Sequence, residues 1–243
     1  MSANICKKTI LKAASISIFA VLFYTSCDDN GVKVVTPEVT TFEDKRDGKI
    51  YKRVQIGTQI WMAENLRYEA DGSECYYESA NWSYRDTAKN CEEYGRLYDW
   101  STAMNGERST TAKPSGVEGV CPPGWHLPSD AEWTVLLDFV GLNAGTKLKA
   151  RSWYDRAAPG VSPAPDGTDK CRFTALPGGS GTHTSGKASF AGMGYNGFWW
   201  SSTEWENDEN AAYTRDIYGF QTVVRRSTAD KHHSFLSVRC VHD

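Results

Sequence analysis

The chain has 243 residues, carries 27 basic and 30 acidic side chains for a formal charge of −3, and is 12% aromatic with nine tryptophans. That length holds one sizeable core or two small ones, and the aromatic content excludes disorder beyond the ends. With basic runs no longer than pairs such as Lys7-Lys8 and Arg225-Arg226, a nucleic-acid grip built on phosphate neutralisation is excluded as well.

At the N-terminus, Lys7, Lys8 and Lys12 precede an apolar run from Ala13 to Tyr24, and Thr25 and Ser26 stand before Cys27. That order marks residues 1–26 as an export signal. The run is about a dozen residues, short of the roughly 20 a membrane-spanning helix needs. A cysteine directly behind small residues resembles the lipobox of bacterial lipoproteins, whose thiol is diacylated and becomes the new N-terminus. The resemblance implies that Cys27 is a membrane anchor; ordinary secretion, with Cys27 free or disulfide-bonded, is the alternative. Asp28 and Asp29 resemble the sorting signals that place lipoproteins on the outside of the outer membrane in Bacteroidetes-like bacteria. Loss of residues 1–26 would leave 24 basic against 30 acidic side chains.

Beyond Cys6 and Cys27 the cysteines are Cys75, Cys91, Cys121, Cys171 and Cys240. In an oxidising compartment they read as two disulfides and one thiol. No Cys-x-x-Cys spacing occurs, so nothing supports a zinc ribbon or a thioredoxin-like site.

Residues 27–41 read as the lipid anchor and a polar tether, and residues 42–243 as the domain. In "FEDKRDGKIYKRVQIGTQIWMAENL", Asp47-Gly48 predicts a turn and Ile50, Val54 and Ile56 one buried parity of the next strand. Gly57-Thr58 then turns into the apolar run Ile60-Trp61-Met62. A polar, aromatic segment holding Cys75 and Cys91 follows; if these pair, the loop closed is worth roughly 3 kcal/mol. "CEEYGRLYDWSTAMNG" reads as a short strand and a helical turn from Trp100 to Met104, and Gly106 to Val120 as a loop. Ser129 and Glu132 form a capping box, Trp133, Leu136, Leu137 and Val140 make one apolar stripe, and Gly141 ends the helix. Past it, Gly, Pro, Ser and Asp are dense from Ser152 to Gly197, broken by "RFTAL" and "ASFAG". Strands are expected at "GFWWSST", "AAYTRDI", "QTVVRRS" and "FLSVRCVHD".

Few residues read as chemistry. The histidines His126, His183, His232, His233 and His242 lack a partner motif, and His126 reads as a structural side chain at the helix entrance. His232-His233 belongs to a turn, and neighbouring strand residues point to opposite faces. "GMGYNG" from Gly192 satisfies a dinucleotide-type glycine pattern but runs into a strand, so it reads as a turn. Glu204, Glu206, Asp208 and Glu209 gather oxygen atoms that could hold calcium, yet without EF-hand spacing they read as a solvated acidic loop. Trp199 and Trp200 should face opposite sides of one strand. Trp205, Tyr213 and Tyr218 flank the acidic loop and are the candidate ligand surface, since flat rings suit sugars and protein hot spots alike. Asp86-Thr87-Ala88 matches a short O-glycosylation pattern of Bacteroidetes-like bacteria, which makes Thr87 a minor candidate.

Taken together, "RDGKIYKRVQIGTQIWMAENLRY", "CEEYGRLYDWSTAM", "CPPGWHLPSDAEWTVLL", "AGTKLKA", "FTALPGG", "GFWWSSTE" and "SVRCV" closely resemble the Fibrobacter succinogenes major paralogous domain, a family of secreted or lipid-anchored bacterial surface proteins. A second resemblance bears on fold. C-type lectin-like domains carry a cysteine before a G-x-x-L stretch and a glutamate-bearing helix, an order repeated by Cys121, Gly124, Leu127, Glu132 and Cys240. It implies an α+β fold of twisted antiparallel sheets with two short helices and long loops, and a Cys121–Cys240 bond with Cys171 as the odd thiol. A pairing that uses Cys171 in place of Cys121 or Cys240 is the alternative.

The expected protein is therefore a lipid-anchored, non-enzymatic binding or display module for a glycan or a surface protein, without cofactor or metal. Its rivals are a variable protein of the diversity-generating retroelement kind, with varied positions between Tyr195 and Ser237, and a structural envelope component. A lectin-like oxidase resembling the formylglycine-generating enzymes, with Cys171 as its reactive thiol, is a third.

Overall fold

A computed structural model describes residues 36–77, 87–153, 167–184 and 186–243 of the chain. Its first hairpin pairs β1 (Val39–Asp44) with β2 (Lys49–Ile56) in register from Val39↔Val54 to Asp44↔Lys49. Asp44 closes the turn, its carbonyl accepting from the Gly48 N–H at 2.7 Å and its carboxylate from Arg46. Gly48 takes a φ of 73°, where a side chain would be strained. β1 thus opens three residues ahead of the domain start expected at Phe42.

The single buried parity expected in β2 is not present: Ile50 is 53% exposed and Tyr51 is buried instead. The strand is packed on both sides. Tyr51 joins a cluster with Trp125 and Trp200, whereas Val54 and Ile56 join one with Trp133 and Trp199. After the Gly57-Thr58 turn, β3 (Gln59–Met62) returns along β2 as expected.

Next come β4 (Ser73–Glu74), α1 (Thr87–Tyr94), β5 (Leu97–Tyr98) and α2 (Trp100–Met104). The short strand and helical turn read from the sequence are both there, and the Asp99 carboxylate caps α2 by accepting from the Thr102 N–H at 2.7 Å. Cys91 lies in α1 and bonds Cys75. β6 (Trp125–His126) leads into α3 (Asp130–Val140), where both bonds of the Ser129/Glu132 capping box form and Trp133, Leu136 and Val140 are buried. α4 (Ala144–Leu148) follows at once. Among the described residues there are thus four helices, none longer than 11 residues, where two were expected.

The C-terminal half is mostly sheet: β7 (Gly178–Thr184), β8 (Lys187–Met193), β9 (Asn196–Trp205), β10 (Asp208–Tyr218), β11 (Arg225–Asp230), β12 (Ser234–Ser237) and β13 (Val241–His242). "GMGYNG" makes the turn from β8 to β9, and His232 and His233 lie in the turn from β11 to β12. The expected strand "QTVVRRS" starts only at Arg225. β7 was hidden by its glycines, yet the strand needs one at Gly181. A Cβ there would sit 2.6 Å from the Phe190 ring.

Two sheets result. One has the order β1-β2-β3-β13-β6, so strands from both ends of the described domain meet in it. The other runs β11-β10-β9-β7-β12-β5-β4, with β8 on β7. Cys121 bonds Cys240, fixing the approach to α3 beside the last strand, and Cys171 is free. Trp199 and Trp200 point to opposite faces of β9 and are both buried, one in each main cluster. The fold is a mixed α+β arrangement of two sheets, short helices and two disulfides. No described helix is long and apolar enough to cross a membrane.

Candidate ligand-binding face

The β9–β10 hairpin carries the candidate aromatic residues, and its register decides which of them meet. Trp205 pairs with Asp208 across the turn at Glu206-Asn207, whereas Tyr218 pairs with Asn196 at the far end of both strands. Between them β10 runs 11 residues, about 35 Å. Trp205 and Tyr218 therefore belong to opposite ends of the hairpin. From Thr214 to Tyr218 the pairing is regular, and from Ala211 to Asp216 it is regular against β11, so Tyr213 and Tyr218 also face opposite sides.

Trp205 is half-buried and sits next to the exposed residues Glu206, Asn207 and Asp208. Tyr213 is only 5% exposed: Arg226 lies over its ring at 3.6 Å, and its hydroxyl donates to the Glu206 carboxylate. That hydrogen bond holds the Glu206 carboxyl below its ordinary range. Burial, with the same Glu206 bond, pushes the Tyr213 hydroxyl up. The ring of Tyr213 thus serves as a floor for Arg226, and what reaches solvent is the guanidinium.

Beneath lies an ion-pair network that the sequence reading did not find. Asp130, the first residue of α3, accepts from Arg215 on one carboxylate oxygen and from Arg226 Nε at 2.9 Å on the other. Arg215 is 1% exposed and also donates to the Asp130 carbonyl and the Thr134 hydroxyl, each at 3.1 Å. Burial lowers the Arg215 pKa, opposed by Asp130. The available signal was a charged pair, Arg215-Asp216, inside an otherwise strand-like run. A carboxylate at a helix N-terminus also meets the positive end of the helix dipole, so Asp130 is doubly favoured there.

Glu204, Glu206 and Asp208 of the hairpin have protein partners. Glu204 pairs with Lys231, whose ammonium lies 4.7 Å from the centre of the Trp100 ring. Asp208 accepts from the Asn210 N–H at 2.9 Å and from its side-chain amide at 3.2 Å. Among the described residues no group of three His, Cys, Asp or Glu side chains converges in the manner of a metal site.

At the other end of the hairpin Tyr218 meets Phe198 edge-on at 5.7 Å, and Arg225 lies over its ring at 5.2 Å. Of the remaining sequence candidates, Cys27 and Asp86 lie outside the described residues, and Thr87 is exposed at the start of α1. Cys171 is packed against the Trp133 cluster, and burial pushes its thiol up to about 11.

His126 joins the helix entrance to the last strand. It is 2% exposed, with Nε2 at 2.7 Å from Glu132 Oε1 and Nδ1 at 2.6 Å from Asp243 Oδ1. Glu132 also accepts backbone N–H bonds from Ser115 and Ser129, each at 3.0 Å, so one carboxylate serves loop, cap and imidazole. Burial opposes the charge on His126, but Glu132 and then Asp243 outweigh it and the pKa is raised. With both ring nitrogens taken, the imidazole has no free edge for a substrate. Arg239, fully buried, donates to Asn65 Oδ1 at 2.7 Å and to the Phe173 carbonyl, and burial pushes its pKa down to about 9.

No curated protein and no solved structure matches the chain. The family model of the Fibrobacter succinogenes major domain matches residues 54–242, a span from the end of β2 to β13 that takes in the whole of the larger sheet, all of the smaller one but β1 and most of β2, the two disulfides and the hairpin. The chain belongs to the Fibrobacter succinogenes major domain family.

Proposed function

We propose that this protein is a lipid-anchored cell-envelope module, held at the outer membrane through Cys27 and displayed outward, that binds a glycan or a surface protein without catalysing a reaction. The observation that carries the reading is the tip of the β9–β10 hairpin. There a half-buried Trp205 stands beside the exposed polar groups of Glu206, Asn207 and Asp208, on a base fixed by Asp130, Arg215 and Arg226. A flat ring with amide and carboxylate groups around it suits a pyranose, whose C–H face stacks while its hydroxyls are hydrogen-bonded. A rigid base lowers the ordering cost of binding.

The same reading takes the fold as C-type lectin-like. Support comes from the Cys121–Cys240 bond, the helix that follows the Gly124–Leu127 stretch, and the pairing of the early strand β3 with the terminal strand β13 in one sheet. Against a thiol-based oxidase stand the packed, hard-to-ionise Cys171 and the commitment of the other described cysteines to disulfides.

The test is an array of plant, host and bacterial glycans probed with the disulfide-intact chain, with and without calcium chelation, alongside a pull-down against envelope proteins. Saturable binding to one class supports the module. Uniform blanks in both formats contradict it and favour a structural envelope component.

A further inference from the structure

Six large apolar side chains are exposed among the described residues, and five of them share one end of the domain: Val39, Phe139, Leu142, Phe220 and Val223. Phe139, near the C-terminal end of α3, lies against Gly57, where an added Cβ would come within 2.9 Å of its ring. Val39 opens β1 opposite Val54, three residues before that glycine. Leu142, 88% exposed, joins α3 to α4. The segment with Phe220 and Val223 is tied to α4, because Thr146 N–H donates to the Thr222 carbonyl at 3.2 Å and Lys149 Nζ to the Gly219 and Gln221 carbonyls at 2.5 and 2.8 Å.

We propose that this apolar end rests on the lipid surface to which Cys27 is attached, with the hairpin tip turned away from it. The inference rests on the anchoring reading above. Three observations carry it. Eight residues lie between Cys27 and Thr36, where the described chain begins, a reach of about 30 Å that ends beside Val39 at this same pole. Next, the carbonyls between the exposed apolar residues, at Gly219, Gln221 and Thr222, already accept hydrogen bonds. Sinking the pole into the headgroup boundary therefore does not strand these backbone carbonyls, the usual obstacle to placing a loop in lipid. Third, β10 runs from the hairpin tip to this pole, and α3 points the same way from its start beside Thr203 and Arg215. Asp208 marks the tip end of β10, and Phe139 of α3 and the residues after Tyr218 mark the pole. A domain seated on the apolar pole thus presents Trp205 and Arg226 outward. The two acyl chains expected on Cys27 already hold the protein to the bilayer, so contact at the apolar pole sets the orientation of the domain rather than its attachment.

The experiment uses the full chain, expressed in a lipoprotein-processing host, with Cys171→Ala and either Leu142→Cys or Asn207→Cys carrying a nitroxide label. Both added cysteines are at exposed positions, so folding is spared. Intact mass reads acylation at Cys27. The acylated protein is placed in phosphatidylethanolamine–phosphatidylglycerol vesicles, and the accessibility of each label to oxygen and to a water-soluble nickel chelate is measured. The expected result is a several-fold loss of chelate access and a gain of oxygen access at Leu142→Cys, with Asn207→Cys still in water. Acylated protein with both labels equally wet overturns the docking alone. A chain without the acyl group overturns the anchoring reading and the docking with it. A label at position 142 that is dry in vesicle-free detergent solution, in a particle of doubled mass, assigns the pole to a second copy and overturns the lipid contact.

Discussion

Replacing Cys121 and Cys240 together by alanine should cost more stability than the same replacement of Cys75 and Cys91. The bond closes a loop of sequence separation 119, and chain entropy values that constraint at about 5 kcal/mol. The Cys75–Cys91 bond closes a separation of only 16, worth roughly 3 kcal/mol by the same relation. Packing widens the gap, since Cys121 and Cys240 are 0% exposed and share a cluster with Trp125, Leu127 and Val238. Marginal domains hold only about 5–15 kcal/mol in total, so the Cys121→Ala/Cys240→Ala protein should be largely unfolded or close to it at 37 °C. Urea titrations of wild type and both double variants, followed by tryptophan fluorescence, give the comparison. The Cys121/Cys240 variant should have the lower midpoint and the steeper slope, because its unfolded chain is less compact. If the Cys75/Cys91 variant proves the weaker of the two, the last strand is held by something other than the staple and the reasoning fails.

Other predictions concern single groups. His126 has its pKa raised by Glu132 and Asp243, so its contribution is fully present below its ordinary value of about 6.5 and is lost as pH rises through the raised folded value. Urea midpoints should therefore fall between pH 6 and 9 in wild type, and that slope should flatten in His126→Gln. Asp130→Ala leaves the buried Arg215 guanidinium without its carboxylate and should cost about 3 kcal/mol in the same titration; a loss under 1 kcal/mol would show the pair to be idle. Ser129→Ala removes the α3 cap at a cost of about 1 kcal/mol. The Cys171 thiol, pushed up to about 11 and partly buried against the cluster that holds Trp133, should react with a thiol reagent at pH 8 far more slowly in the folded than in the unfolded chain; rapid native labelling would reopen the oxidase reading.

Where local chemistry decides the structure, the sequence was enough to read it. The α3 cap needs only Ser129, Glu132 and the stripe behind them, and the paired tryptophans of β9 announce two packed faces. Long-range packing was less visible. Tyr51 replaces Ile50 in the core because β2 is covered on both sides, which no strand-parity rule contains. β7 reads as a glycine-rich loop, yet its glycines exist to admit the Phe190 ring and neighbouring strands. Of the candidate face, the three aromatic residues were recognisable, but their separation to the two ends of one hairpin follows from register. The Asp130–Arg215–Arg226 network joins residues up to 96 positions apart, a link that only the folded chain reveals.

The most direct test of the binding account compares Trp205→Ala with Phe220→Ala on whichever ligand the array or pull-down yields, by calorimetry on the disulfide-intact chain. Trp205→Ala should abolish binding while leaving the urea midpoint near wild type, and Phe220→Ala, at the opposite end of the hairpin, should bind as wild type does. Full affinity in Trp205→Ala, or its loss in Phe220→Ala, would contradict the placement of the site at the hairpin tip.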